Sequence, residues 1–386
     1  MNILKSRTGT THNSISLRVM LGCCLLFFSF YSKAQSGSDS SVVVAKSHVQ
    51  NGVYGPALSL LNSFLVKQPK NVDALFWKGV ALYKQKNYVA SEDVFREIFK
   101  IHPGYAPAYA EMGNALLEQK KYKVAADFFS TALSLGDTSS LILNCRGLCY
   151  YYTDRLELAI KDFERVIKLD PANAFAYNNR GSCRYNNQDI AAASAVDLRL
   201  AEKDFNQAIA LKPDFQLALR NRGVIRYYMD SLRTSFDDLF TAMLLNEKDE
   251  KAHFFLGRVL HKQGKYEQAL KYFDKAIALV NYKAEMYVDR GNCKIELLDY
   301  KGARADFNQA ILMSNDNGLA YFYLARAYAA EDKKTECMEA LKSARKAGLF
   351  KDGKYYVFIY KDKYFGRYYK DKAFSDMIYE FKFGKK

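Results

Sequence analysis

The chain repeats itself every 34 residues. In the stretch from Glu250 to Lys283, Gly257 stands eight residues in and Ala276 nineteen later, with Tyr266, Ala269 and Phe273 between them. Apolar residues three and four apart mark two amphipathic helices per unit, with small residues where the helices cross. A period of this length specifies an array of supersecondary units, each unable to bury its apolar face alone. It names an architecture and leaves the ligand open.

Units open at residues 38, 72, 106, 140, 174, 216, 250, 284 and 318, and the ninth ends at 351. Their eighth positions hold Ala45, Gly79, Gly113, Gly147, Gly181, Gly223, Gly257, Gly291 and Ala325. A missing side chain there lets two helices approach closely, at a modest cost in helix propensity. In the second helix, Phe129 with Ala132, Phe273 with Ala276 and Phe307 with Ala310 share one side and are expected to form the knob of the next interface. Pro69, Pro103, Pro171 and Pro213 follow second helices, where a missing donor costs little. The fifth unit is 42 long, and its eight extra residues lie around Asn187 to Arg199. That alanine-rich stretch predicts about two added helical turns.

These residues resemble the tetratricopeptide repeat (TPR): glycine at eight, aromatic or leucine near seventeen, alanine at twenty, aromatic or leucine at twenty-four, alanine at twenty-seven and proline at thirty-two. The motif recurs in register from 38 to 351. Departures are Ser91 and Ser235 at position twenty, and Asp137, Glu247 and Asn281 in place of the proline. The resemblance implies an all-α fold, a right-handed superhelical solenoid of about nine helix-turn-helix units. Residues 352–386 break the pattern, and Tyr355, Phe358, Ile359, Phe365, Phe374 and Ile378 could supply a helical cap over the last apolar face.

The first 34 residues stand apart. Lys5, Arg7 and Arg18 precede an apolar run from Val19 to Tyr31 and then Ser32-Lys33-Ala34, which reads as a cleaved secretory signal. The run is shorter than the ~20 residues a membrane-spanning helix needs. Leu21-Gly22-Cys23 offers a competing lipoprotein box, but the apolar residues follow that cysteine instead of preceding it. The expected location is periplasmic, cell-envelope or secreted.

Removing residues 1–34 leaves a charge of +11, of which +8 sits between Lys342 and Lys386. The repeat body is therefore nearly balanced, which argues against a nucleic-acid footprint. Cys149, Cys183 and Cys293 share one place, two residues after the glycine, where a small buried side chain fits. No CxxC, phosphate loop, HExxH or GxSxG occurs, so neither catalysis nor a cofactor or metal is expected.

Comparing the chain with itself exposes a pairing. Where position seven is arginine, at Arg146, Arg180, Arg222 and Arg290, position twenty-three is aspartate, at Asp162, Asp204, Asp238 and Asp306. Elsewhere neither appears. Structural ion pairs explain this, because a half-buried guanidinium left alone is costly.

The family's geometry implies a concave face lined by first helices. On it, Asn144, Tyr151, Asn178, Asn179, Tyr185, Arg220, Asn221 and Tyr227 are expected to form a peptide-binding ladder, since asparagine both donates and accepts and tyrosine offers a flat face with a polar tip. Phe76, Trp77 and Tyr83 extend an aromatic wall, and Arg258, His261, Lys262 and Arg326 make the far end basic. Asn114 matches an asparagine of the family's carboxylate-gripping subset, but Ala110 and Leu117 stand where that subset has lysines, so the activity does not carry over. The expected function is an exported scaffold or adaptor for a protein or peptide. The alternative is a membrane-associated assembly subunit docking through the basic C-terminal segment.

Overall fold

A computed structural model describes residues 40–185, 194–350 and 355–383. Every regular element among them is helical. The signal segment, 1–34, lies outside the described residues, as do 186–193. Internal packing divides the chain into two compact units, one ending at Pro213 and one beginning at Asp214.

The first unit stacks five helical hairpins. Their helices are Ser40–Gln50 with Tyr54–Lys67, Val72–Lys84 with Tyr88–Ile101, Ala106–Glu118 with Tyr122–Ser134, Ser140–Tyr152 with Leu156–Leu169, and Ala174–Arg184 with Ala195–Leu211. The second unit continues with four: Gln216–Tyr228 with Leu232–Leu245, Glu250–Lys262 with Tyr266–Leu279, Ala284–Glu296 with Tyr300–Met313, and Gly318–Ala330 with Lys334–Lys346. Each hairpin packs on its successor within its unit, and first helices of neighbouring hairpins touch one another more closely than second helices do.

Local sequence fixes where helices begin. Asn71, Asn173, Asp249 and Asn317 each accept a hydrogen bond from the backbone amide three residues on, at 2.9–3.0 Å. These caps satisfy donors that the first helical turn leaves unpaired. The bend inside a hairpin passes through a left-handed residue at the fifteenth position. Gly264 takes it without strain (φ 74°), whereas Leu298 adopts it with a side chain (φ 61°).

The glycine at position eight works within its own hairpin. A Cβ on Gly291 would lie 2.6 Å from the Phe307 ring, and one on Gly257 would lie 2.7 Å from Phe273. The phenylalanines thus seat on the glycine sixteen residues earlier, and Phe307 also meets Tyr323 of the next hairpin with ring centroids 6.1 Å apart. Phe307 and Phe273 are fully buried. The two serines at position twenty keep this geometry while burying a hydroxyl: Ser91 donates to the Gly79 carbonyl at 2.8 Å and Ser235 to that of Gly223 at 2.7 Å. A satisfied hydroxyl costs little.

In the fifth hairpin the second helix has 17 residues against 13 or 14 elsewhere, about one added turn in place of two. A capping box between Ser194 and Asp197 starts it. The rest of the extra length lies outside the described residues.

After the ninth hairpin come Tyr355–Lys361, a 3-10 turn at Phe365–Tyr368, and Lys372–Phe383. Ile359, Phe365, Phe374 and Ile378 are buried in one cluster with Leu324, Leu341 and Ala344 of the ninth hairpin. The side chains of Tyr355 and Phe358 lie outside those described. Tyr368 donates to Asp332 at 3.0 Å, and Arg326 donates to Asp362 at 2.7 Å, so polar ties fasten the same segment.

Candidate functional site

The four arginines at position seven reach the four aspartates. Nε and Nη2 of Arg146 donate to Asp162 at 2.8 and 2.7 Å, those of Arg180 to Asp204 at 3.1 and 2.7 Å, those of Arg222 to Asp238 at 2.8 and 2.6 Å, and those of Arg290 to Asp306 at 2.9 and 2.6 Å. These are parallel, charge-assisted pairs joining the two helices of one hairpin. Nη1 of the same guanidinium turns to the preceding hairpin, donating to Ser130 from Arg146 at 3.1 Å and to Asp274 from Arg290 at 2.7 Å. A second cation joins three of the carboxylates: Arg184 on Asp204, Arg226 on Asp238 and Lys294 on Asp306.

The expected peptide ladder needs correction. Asn144, Asn178, Asn179, Asn221, Tyr151 and Tyr185 are all buried. Close packing of successive first helices takes these positions out of solvent. Their amides pair with one another instead: Asn179 donates to Asn144, and Asn178 to Asn179, each at 3.2 Å. Arg220 donates to the buried Asp249 at 3.0 Å, which occupies it structurally. Of the eight residues, Tyr227 alone lines a pocket described below. The basic far end is also compensated, since Arg258 is bonded to Asp289, Lys262 to Asp230, and Arg326 to Glu296 and Asp362. On the aromatic wall, Trp77 is buried with Phe76 edge-on at 5.4 Å.

The second unit contains a cavity of about 190 Å³ lined by Tyr227, Tyr228, Arg258, His261, Phe273, Asp289 and Asn292. Apart from Phe273, these residues come from the first helices of the sixth, seventh and eighth hairpins. Arg258 Nε donates to Asp289 at 2.5 Å, and its guanidinium lies 4.4 Å over the Phe254 ring. Burial works against the Arg258 charge, but Asp289 and Glu285 more than offset it and hold the guanidinium firmly protonated. Burial lowers the pKa of His261 below the usual imidazole range, only partly opposed by Asp289 and Glu296. The lining is therefore neutral as a whole near pH 7, with a Tyr-rich wall and an internal ion pair.

Three stretches match tetratricopeptide repeat models: residues 45–106, 140–173 and 250–281. The chain carries tetratricopeptide repeats. It is 23% identical over 178 residues to a DnaJ homolog subfamily C member 7 homolog of Dictyostelium discoideum, covering 42% of this chain and 33% of that one. A tetratricopeptide repeat protein from Parabacteroides merdae superposes with a TM-score of 0.51 at 17% identity, over 69% of this chain and 98% of the other. The Cut9–Hcn1 assembly of the APC/C gives 0.52 at 16% identity, over 90% of this chain and 64% of that one. At such identities the likeness concerns the fold. The chain spans less than half the length of the curated relatives it matches.

Among the described residues of this TPR protein, no group of three or more His, Cys, Asp or Glu could hold a metal. Asp289 and Asn292, missed in the sequence, become visible only when three hairpins are stacked. Each is an ordinary polar residue on its own helix. The positions six and nine they occupy carry the only available signal, because the family's geometry turns those places inward.

Proposed function

We propose that this TPR protein is an exported scaffold or adaptor that binds a protein or peptide along the face formed by its first helices. One observation carries the reading: the pocket of the second unit draws six lining side chains from three successive first helices, so a ligand lying across the hairpins can engage all three. Concave sites with aromatic walls and a few placed polar groups are the common form of a recognition site. Export is supported by the basic and apolar order of the first 34 residues. No helix among the described residues is long and apolar enough to cross a membrane.

The test measures binding of a displayed peptide library to the full chain and to Tyr227→Ala, at low and high salt. Selection of peptides by the wild type, with affinity reduced at least fivefold by Tyr227→Ala and little changed by salt, supports the groove. Binding that collapses with salt and ignores Tyr227 places recognition on the basic C-terminal segment instead.

A further inference from the structure

Each first helix in the stack turns one face to the hairpin before it. Asn179, at position six, donates to Asn144 of the preceding hairpin at 3.2 Å, and Nη1 of Arg146, at position seven, reaches back to Ser130 at 3.1 Å. Positions three and ten lie on the same side of the helix, one turn before and one turn after. In the eight later hairpins both are buried without exception, from Ala74 and Ala81 in the second to Ala320 and Ala327 in the ninth. In the first hairpin the same four places hold Ser40, Val43, Val44 and Ser47, and all four are exposed, the valines at 50% and 46%. Two valines between two small residues thus form a surface shaped for the close approach of another helix. Terminal repeats ordinarily carry a polar outer face instead.

Charge and chain length decide what covers it. From Ser40 to Val66 the sequence has no Asp or Glu, and its basic groups are Lys46 and His48. Lys46 is turned to the second hairpin, its ammonium 5.3 Å over the Trp77 ring. Such a face selects no charged partner, and two copies of it meet without repulsion. The residues between the expected cleavage point and Ser40 read Gln35-Ser36-Gly37-Ser38-Asp39, with no large apolar side chain to lay over the valines. Head-to-tail stacking on another copy is closed, because the ninth hairpin is already packed with Ile359, Phe365, Phe374 and Ile378. The stacking face left open on a second copy is this same one.

We propose that the chain self-associates head to head as a two-fold dimer, with the Val43 and Val44 face of one first hairpin against the same face of its partner. Each first hairpin then takes the place that a preceding hairpin holds elsewhere in the stack. The dimer goes beyond the ligand-binding reading, and rests on the export reading only for the length of chain before Ser40.

The full chain, purified from an export-competent host with its intact mass recorded, is sedimented from micromolar to submillimolar concentration at low and high salt. A monomer–dimer equilibrium that persists in high salt, is weakened at least about tenfold by Val43→Lys and is unchanged by Val66→Lys supports the face. Val43 and Val66 are both exposed, so neither variant loses core packing. A monomer at every concentration, a dimer lost in salt, or one indifferent to Val43→Lys overturns the proposal. The thiol introduced by Ser47→Cys reads the face directly, since Cys145, Cys149, Cys183, Cys293 and Cys337 are buried. Its alkylation, located by peptide mapping, should be fast in the dilute monomer and slow in the dimer. Fast alkylation in the dimer places the interface elsewhere and overturns the proposal. Slow alkylation of a monomer shows that another segment of the same chain covers the face, which also overturns it. A Val43-dependent dimer whose intact mass retains residues 1–34 overturns the cleaved signal and leaves the self-association standing.

Discussion

Arg290 and Asp306 hold the eighth hairpin together through two parallel hydrogen bonds of 2.9 and 2.6 Å, while the remaining guanidinium nitrogen of Arg290 reaches Asp274 in the seventh. Asp306 is almost wholly buried, with Lys294 as its second cation at 2.8 Å. Asp306→Ala leaves Arg290 half-buried without its bidentate partner and is expected to cost about 3–5 kcal/mol. Replacing the pair together, as Arg290→Met with Asp306→Leu, should cost less, because only Lys294, which also pairs with Asp306, is then left uncompensated. Urea denaturation of the single and double variants decides it, and equal losses would remove the account.

Gly291 offers a second test. Alanine favours a helix over glycine by about 1 kcal/mol, yet its Cβ would sit 2.6 Å from the Phe307 ring. Overpacking of that kind costs about 1–3 kcal/mol, so Gly291→Ala should destabilise. Gly55, whose added Cβ meets nothing within 4 Å, provides the control. Gly55→Ala is expected to leave the melting temperature unchanged or raise it, and a gain at both sites would contradict the seat described for the phenylalanine.

Acid sensitivity should centre on Asp249. Burial raises its pKa, but Arg220, the Ala252 amide and Gln216 more than offset that and bring it below the ordinary aspartate value. The folded pKa therefore lies under the unfolded one, about 3.9. The stability Asp249 contributes is complete above roughly pH 4 and is lost as pH falls through the lower folded value. Asp249→Asn should be less stable by about 2 kcal/mol at pH 7, with the gap closing below pH 4. Denaturation midpoints measured from pH 2 to 7 check this, and a gap of constant size would show that its charge is not what matters.

The cysteines should be silent. Cys145, Cys149, Cys183, Cys293 and Cys337 are buried and unbridged. Burial pushes the thiols of Cys149 and Cys337 up to about 12 and those of Cys183 and Cys293 higher still. Thiolate is the reactive form, so a disulfide reagent at pH 8 should leave all five untouched in the native protein and modify them in urea. Rapid native labelling of any one of them would mean that its hairpin opens locally.

What the sequence revealed depended on repetition in register. The glycine at position eight and the Arg and Asp pairs recur with fixed identities, so comparing units was enough to find them. The second partner of Arg146 and of Arg290 was hidden because chemistry there varies, from Ser130 to Asp274, with only the place constant. Inward direction was likewise legible for Asn144, Asn178 and Asn221, but exposure was not. Whether an inward side chain meets solvent or another helix depends on how tightly first helices pack, a distance no single unit encodes. The left-handed bend was masked for the same reason: Gly264 advertises it, while Leu298 and Asp332 adopt it under ordinary names.

The backward reach of Arg290 gives that one side chain a direction. Stripping away the seventh hairpin would leave a guanidinium nitrogen searching for Asp274, whereas stripping away the ninth would strand no charge on Arg290. The ninth would instead carry Arg326 away from Glu296, so fraying of this stack from either edge parts an ion pair.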